Sequence, residues 1–310
     1  MDESIRLLDT KRRNILNQNR FINASVIIYF VLGIILLFLM SVRSSFAHPD
    51  FFVILTILVI VIAASAYVSI VIRRRIRVFE AELRDKIVGP YLYERYGGPE
   101  YISQNKFSKE EIANFCIIPN THLVRPYIFN SEDYIRGTYK GVAYEQASAQ
   151  MVLYTKRHVY QAGLKNRLKP KYDFDGRILL FSSPRFQNIN SVKITTKSFP
   201  YSGSGLLNEK VLTGNELFDQ CFIVSAINSQ DVYNLLTPQF MAEILNLKNY
   251  FNGFSLYIYR GMVYIAINKL SSPFNKVYGT TFDRNQVNQM TDEYMNVTSR
   301  MLDTIFAVFL

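Results

Sequence analysis

Two long stretches without a charge dominate the start of the chain. Residues 21–42 read FINASVIIYFVLGIILLFLMSV, and residues 51–72 read FFVILTILVIVIAASAYVSIVI. Crossing about 30 Å of hydrocarbon takes about 20 apolar residues in a helix rising about 1.5 Å per residue. Both stretches meet that length. In lipid a segment rich in β-branched residues still becomes helix, because every backbone group must be satisfied within it. The residues between them, RSSFAHPD at 43–50, leave no room for a domain. The expectation is a two-helix transmembrane hairpin with spans at 21–42 and 51–72. A cleaved signal sequence is the competing reading of the first stretch, whose apolar run is longer than the about 7–15 residues such a signal uses.

Orientation is read from Lys and Arg. Arg6, Lys11, Arg12, Arg13 and Arg20 precede the first stretch, and Arg73, Arg74, Arg75 and Arg77 follow the second. Arg43 alone lies between. Both ends are therefore expected in the cytoplasm. Arg12, Arg13, Arg73, Arg74, Arg75 and Arg77 are expected at the membrane surface as topology determinants. The net charge of +10 is then partly an anchoring charge beside anionic lipid. That disfavours a nucleic-acid partner and points to the lipid bilayer, with anionic head groups and a protein partner as further candidates. Ser65 and Ser69 form a small-xxx-small pair suited to close helix packing within the hairpin.

Composition narrows the rest. Charged residues are 19% of the chain, below the about 25% of an ordinary soluble domain. With 21 Tyr and 23 Phe, the chain carries too much apolar surface to remain disordered. Two cysteines, Cys116 and Cys221, do not make a disulfide framework, and His48, His122 and His158 are scattered. No metal and no cofactor is expected.

Beyond residue 80 the pattern changes. Residues 78–88 read as a helix continuing the second stretch, broken by Gly89-Pro90. Tyr-rich residues 91–101 read as an irregular crossing. Ser108-Lys109-Glu110-Glu111 is a capping box opening a short helix, and Pro119 and Pro126 bracket a loop. Residues 133–154 alternate with period two around Lys140-Gly141, and 177–182 and 191–196 are further strands. Residues 218–227 read as a strand. Asn228-Ser229 caps a helix over 230–236, and Thr237-Pro238 opens another to about 250. Strands 254–259 and 262–267 join tightly at Arg260-Gly261. Over 284–310, Val287, Met290, Tyr294, Val297, Met301, Ile305 and Val308 recur at helical spacing and mark a core face. The fold class is α+β: a cytoplasmic tail at 1–20, the hairpin at 21–72, a basic stop and linker helix at 73–100, and a cytoplasmic antiparallel-sheet domain with packed helices at 101–310.

No motif of a known catalytic class is present: no GxSxG, phosphate loop, HExxH or CxxC. Ser202-Gly203-Ser204-Gly205 reads as a flexible turn. The sharpest chemical feature is the acid-free basic run of Lys156, Arg157, Lys165, Arg167, Lys169 and Lys171, interleaved with Tyr154, Tyr160 and Tyr172. It is a candidate anion-binding loop, weighed against a solvated loop. Glu216 and Asp219, three residues apart, are candidate acids, weighed against solvated strand-end carboxylates. Cys221 reads as an inert core thiol.

Segments 131–150 (SEDYIRGTYKGVAYEQASAQ), 172–181 (YDFDGRILLF), 214–247 (GNELFDQCFIVSAINSQDVYNLLTPQFMAEILNL) and 254–274 (FSLYIYRGMVYIAINKLSSPF) together resemble bacterial membrane proteins of the domain-of-unknown-function 3137 family. Leu236-Thr237-Pro238 with Phe240-Met241, after Phe218-Asp219, is the most specific piece. The long basic stretch 155–171 departs from the family pattern. The resemblance implies the fold, a two-pass topology and a bacterial inner-membrane location, and it transfers no catalytic residue. The functional expectation is a membrane-anchored cytoplasmic binding, scaffold or sensor domain. The alternative is a membrane-associated enzyme acting on an anionic or lipid-linked substrate.

Overall fold

The computed structural model describes residues 3–42, 49–104, 106–114, 125–154, 173–200, 209–251, 253–270, 272, 274 and 284–310. The chain divides into two compact units. One comprises Met1–Lys86 with Asn275–Val287, the other Ile87–Phe274 with Asn288–Leu310.

The first unit is built on two long helices, α1 (Glu3–Val42) and α2 (Pro49–Leu83). They pack through Leu8, Ile15, Ile72, Phe79 and Leu83, all buried. The Lys11 ammonium bonds the Glu82 carboxylate, and Arg75 Nη1 donates to Gln18 Oε1 at 3.0 Å. Asp9 accepts from both Arg12 (3.0 Å) and Arg13 (2.8 Å). Of the six arginines singled out above, Arg12 is buried, Arg13, Arg74 and Arg75 are exposed, and the side chains of Arg73 and Arg77 lie outside the described residues.

Both helices extend beyond the uncharged runs into charged sequence. Among the described residues no helix is long and apolar enough to cross a membrane. This overturns the expected transmembrane hairpin at 21–42 and 51–72, and with it the multi-pass inner-membrane location. The physical reason is that freedom from charge is a weaker condition than being apolar throughout. Asn23, Ser25, Ser65 and Ser69 lie within the runs, and the Ser25 and Ser69 hydroxyls turn back onto the carbonyls of Phe21 and Ser65.

Helical structure does not stop at Gly89-Pro90. A π-helical turn, Arg84–Val88, leads into α3 (Gly89–Tyr96), with Pro90 in its first turn. The π turn just before it is the kind of local irregularity at which a helix accommodates a proline without ending. Gly97 ends α3 in the left-handed conformation (φ 79°), so the expected irregular crossing is a helix. The Tyr91 and Tyr96 hydroxyls both donate to the Asp292 carboxylate, Tyr96 at 2.7 Å.

The second unit carries a nine-stranded sheet in the order β1-β2-β3-β4-β9-β8-β5-β7-β6, with every described pairing antiparallel. Its elements are β1 (Glu100–Gln104), α4 (Lys109–Asn114), β2 (Arg125–Tyr139), β3 (Val142–Tyr154), β4 (Phe174–Ser182), β5 (Val192–Thr196), β6 (Glu209–Val211), α5 (Glu216–Cys221), β7 (Phe222–Ala226), α6 (Ser229–Leu235), α7 (Pro238–Tyr250), β8 (Phe254–Tyr259), β9 (Met262–Asn268) and α8 (Arg284–Phe309).

Local signals account for most boundaries. Ser108 and Glu111 form the reciprocal capping pair (3.1 and 2.7 Å). Asn228 caps α6, and Thr237 caps α7. Lys140 and Gly141 take positive φ (50° and 82°), as do Arg260 and Gly261 (46° and 81°). That is the twist a two-residue hairpin turn needs. Pro126 falls inside β2 at a register shift, where a residue without an N–H interrupts no ladder. Residues 216–221 are helix, not the start of a strand, because Asn215 Oδ1 accepts from the Phe218 N–H at 3.1 Å and nucleates a turn there.

One face of the sheet packs Ala147, Met151, Phe174, Ile178 and Ala266 with Phe107, Ile112 and Tyr134. On the opposite face, Phe181, Phe186 and Phe240 surround Phe309 at centroid distances of 5.8–6.1 Å. The last carbonyls of α8 are held by Ser183 Oγ (2.7 Å, Phe309 O) and Arg185 Nη1 (2.9 Å, Val308 O). These donors serve groups that have no partner within the helix.

Gly176 on β4 shows how tightly β4 meets β9: a Cβ there would fall 1.9 Å from the Ile267 carbonyl oxygen. Gly176→Ala is expected to destabilise the unit by about 3 kcal/mol through overpacking, seen as a lower midpoint in chemical denaturation of the full chain. An unchanged midpoint would show that the two strands separate freely.

Candidate functional site

Beneath the first half of α8, the sheet is polar. The β2–β3 ladder pairs Glu132 with Ser148 and Ile135 with Gln146. Asp133 and Tyr134 thus face the single residue Ala147, a β-bulge. Asp133 adopts φ 53°, a left-handed conformation that Asp tolerates better than most side chains. It is completely buried. Its carboxylate accepts from Tyr101 Oη at 2.8 Å and from Ser272 Oγ. Ser272 Oγ in turn accepts from the Phe274 N–H at 3.2 Å.

Arg177 on β4 stands directly opposite Ser148 and is 2% exposed. Its guanidinium lies 4.0 Å from the centre of the Tyr294 ring. Nη1 donates to Thr298 Oγ1 at 2.7 Å. The same hydroxyl accepts from Gln146 Nε2 (3.2 Å) and donates to the Tyr294 carbonyl (2.9 Å). Tyr294 Oη reaches Ser148 Oγ at 3.4 Å and the Asp133 carbonyl at 3.5 Å. Tyr294 and Thr298 are one helical turn apart and project from the same side of α8.

Among the described residues, Arg177 Nε and Gln146 Oε1 have no hydrogen-bond partner. Among the described residues no carboxylate lies within ion-pair distance of Arg177. Burial pulls its pKa below the usual guanidinium value, opposed by Tyr294, Asp133 and Tyr144 acting through space. A guanidinium remains protonated regardless, so a positive charge stays under the helix. Desolvating such an ion costs several kcal/mol, on the order of what its contacts return. A desolvated cation–π contact returns about 2 kcal/mol, and a hydrogen bond from a charged group about 2 kcal/mol. The cluster is therefore at most balanced, and two of its polar atoms remain unsatisfied.

The acids nominated from sequence are not part of it. Asp219 accepts from the Thr213 N–H (3.1 and 3.2 Å) and from Thr213 Oγ1 (3.0 Å), closing the turn into α5. Glu216 is exposed and accepts from Gln220 Nε2 one turn on. The β6–α5 turn is separated from β4 by β9, β8, β5 and β7. Cys221 is half-buried at the end of α5. Lys156, Arg157, Lys165, Arg167, Lys169 and Lys171 lie outside the described residues, as do Cys116 and Ser202-Gly203-Ser204-Gly205.

Sequence reasoning passed over the cluster although two of its members left a signal. Period two puts Arg177 on one face with Leu179 and Phe181, a basic residue aimed into a core. On α8 the stripe was drawn from apolar residues alone. Val287, Tyr294, Met301, Ile305 and Val308 are buried as expected, but so are Thr291 and Thr298, whereas Val297 is 39% exposed. Asp133 left no signal, since the bulge arises from strand pairing.

Residues 163–306 match a family described as Protein of unknown function (DUF3137). The match supports the family that the sequence motifs resemble. It takes in Arg177, Tyr294 and Thr298, while Asp133, Gln146 and Ser148 precede it. No curated protein and no solved structure matches the chain.

Around this cluster and along α3, several phenols resist ionisation. Burial is the leading cause for Tyr91, Tyr96, Tyr134, Tyr139 and Tyr144, with Tyr144 pushed up to about 12. An acid whose pKa is raised on folding stabilises the fold fully below its unfolded value, about 10 for Tyr. That contribution declines as pH rises toward the folded value. Urea midpoints are expected to hold from neutral pH to about pH 10 and then fall, less steeply in Tyr144→Phe. A flat profile well past about pH 10 would contradict these phenol environments.

Proposed function

We propose that the chain acts by binding rather than by catalysis, with the α+β unit as a binding or sensor domain and the Arg177–Tyr294–Thr298 cluster as its recognition locus. The observation that carries this reading is a buried guanidinium that, among the described residues, has an unsatisfied Nε and no carboxylate in contact. Buried charges in folded proteins are ordinarily paired. A site held short of full satisfaction is one a ligand can complete, and its position beneath α8 lets occupancy be felt along a 26-residue helix.

The enzyme alternative rested on Glu216 and Asp219 converging with a basic loop on an anionic or lipid-linked substrate. Asp219 is engaged in closing a turn, and Glu216, three residues before it on α5, is exposed. That arrangement supports binding over general acid–base work, which needs a carboxylate poised over a reacting proton.

Hydrogen exchange of the full chain, with and without a deproteinised small-molecule cell extract, tests the proposal. Slower exchange is expected in β3, β4 and residues 288–298, and Glu216→Gln is expected to leave that protection intact. Absence of protection in these elements, or its loss in Glu216→Gln, would defeat the reading.

A further inference from the structure

Helix α1 carries two lines of residues. Leu8, Arg12, Ile15 and Gly33 are buried and Ile22 is half-buried, and together they form one line at helical spacing, begun against α2 by Leu8 and Ile15. Nearly opposite run Phe21, Ala24, Ile28, Val31, Ile35 and Phe38, alternately three and four residues apart. All six are exposed, the five larger ones between 47% and 75%. A mean step of 3.5 residues is that of a coiled-coil seam, where each side chain drops between four of a facing helix. Toward the N-terminus the same positions hold Asn14 and Asn17, so the apolar seam begins at Phe21. Ile27 and Leu32, also exposed, flank it.

The area of this face identifies what covers it. At about 150–200 Å² for each large side chain, the exposed part of the seam and its flanks amounts to roughly 700 Å². The largest apolar patch on a typical monomer is about 300–600 Å². Each partner in a stable interface gives about 800 Å². We propose that the seam of α1 pairs with the same seam of a second copy of this chain, the two helices antiparallel.

Charge sets the direction. Arg6, Arg13 and Arg20 each stand one residue before a seam position, along one rim, and Lys11 stands on the other rim. All four are exposed. Asp9 pairs with Arg13 and Glu82 with Lys11, which offsets the rim charge in part. In a parallel pair each rim meets the opposite rim of the other helix. Arg6 then faces the second copy's Lys11, and the basic turns of both chains gather at one end. Like charges on these rims are how coiled coils reject a wrong orientation. In an antiparallel pair the basic turns lie at opposite ends of residues 21–42, which hold no charge. That separation is about 33 Å along the helix, several screening lengths at physiological salt.

One antiparallel register uses the whole seam. It stacks Phe21 on Phe38, Ala24 on Ile35 and Ile28 on Val31, each pair formed twice about a two-fold axis. Ala24 against Ile35 sets small against large. The interface lies on α1 and makes no use of the Arg177 cluster, so either reading can fail without the other.

Cysteine pairing in the full chain tests the proposal. Chains with Cys116 and Cys221 replaced by Ser each receive one new cysteine and are oxidised in freshly broken cells without detergent. Mixed Phe21→Cys and Phe38→Cys chains are expected to join as dimers, as are mixed Ile28→Cys and Val31→Cys chains. Phe21→Cys alone and Phe38→Cys alone are expected to stay single. Adding Ile28→Lys and Ile35→Lys to the first mixture is expected to cut the dimer about tenfold, since the seam then buries unpaired charge. The single-cysteine pattern decides the orientation by exposed positions alone, whatever the lysine variant does to folding. No joining in either mixture, or self-joining of Phe21→Cys and Phe38→Cys as strong as the mixed product, would overturn the proposal. So would labelling of the seam by an apolar photo-probe dissolved in lipid vesicles with no joined chains, which would assign this face to lipid.

Discussion

The architecture of the second unit turns on one interface, where α8 covers β2, β3 and β4. Half of that interface is an ordinary apolar contact, with Phe306 and Phe309 packed against Phe181 at 4.9 and 6.1 Å. The other half encloses a guanidinium. Apolar contact is non-directional and tolerates small shifts, whereas the Arg177–Thr298–Gln146 contacts demand one register of helix on sheet. The aromatic half thus supplies adhesion, and the polar half decides where along the sheet the helix stops.

The bulge at Asp133 belongs to the same constraint. Two residues of β2 against one of β3 turn Asp133 inward, where Tyr101 and Ser272 donate to its carboxylate and Tyr294 reaches its carbonyl. An ungapped ladder would alternate side chains strictly between faces. The bulge places a buried acid near the buried guanidinium without bringing them into contact, and the Asp133 charge favours the protonated Arg177 through space. Asp292, which accepts from Tyr91 and Tyr96, fastens α3 to the same helix by a separate pair of phenols.

Elements whose signals lie within a few residues were legible. The Ser108–Glu111 capping box, the Asn228 and Thr237 caps, and the Lys140-Gly141 and Arg260-Gly261 turns all stand where the sequence places them, since each is a contact between near neighbours. Failures occurred where one local signal outranked another. Asn215 nucleated a helix in a segment rich in strand formers, and a π-helical turn carried the chain past Gly89-Pro90. The two uncharged runs became long helices, but an uncharged run is not the same as an apolar span, and the membrane hairpin expected from them does not hold. For the site, Arg177 and Thr298 sat in plain view as a basic and a hydroxyl residue on core-facing positions. They were passed over because amphipathic patterns are scored on apolar residues.

By itself the amino-acid order determined which segments become helix or strand, where the tight turns fall, and that an antiparallel α+β unit follows two long helices. These depend on backbone preferences and periodicity, which act over one or two turns of chain. Only the tertiary structure decided that Arg177, Gln146 and Thr298, up to 152 residues apart, share one buried point, and that the Asp219 carboxylate closes the turn into α5. Strand order, a bulge and the resting place of a helix are settled by packing over the whole unit, because the free energy of a buried charge depends on everything that surrounds it and on nothing its sequence neighbours can reveal.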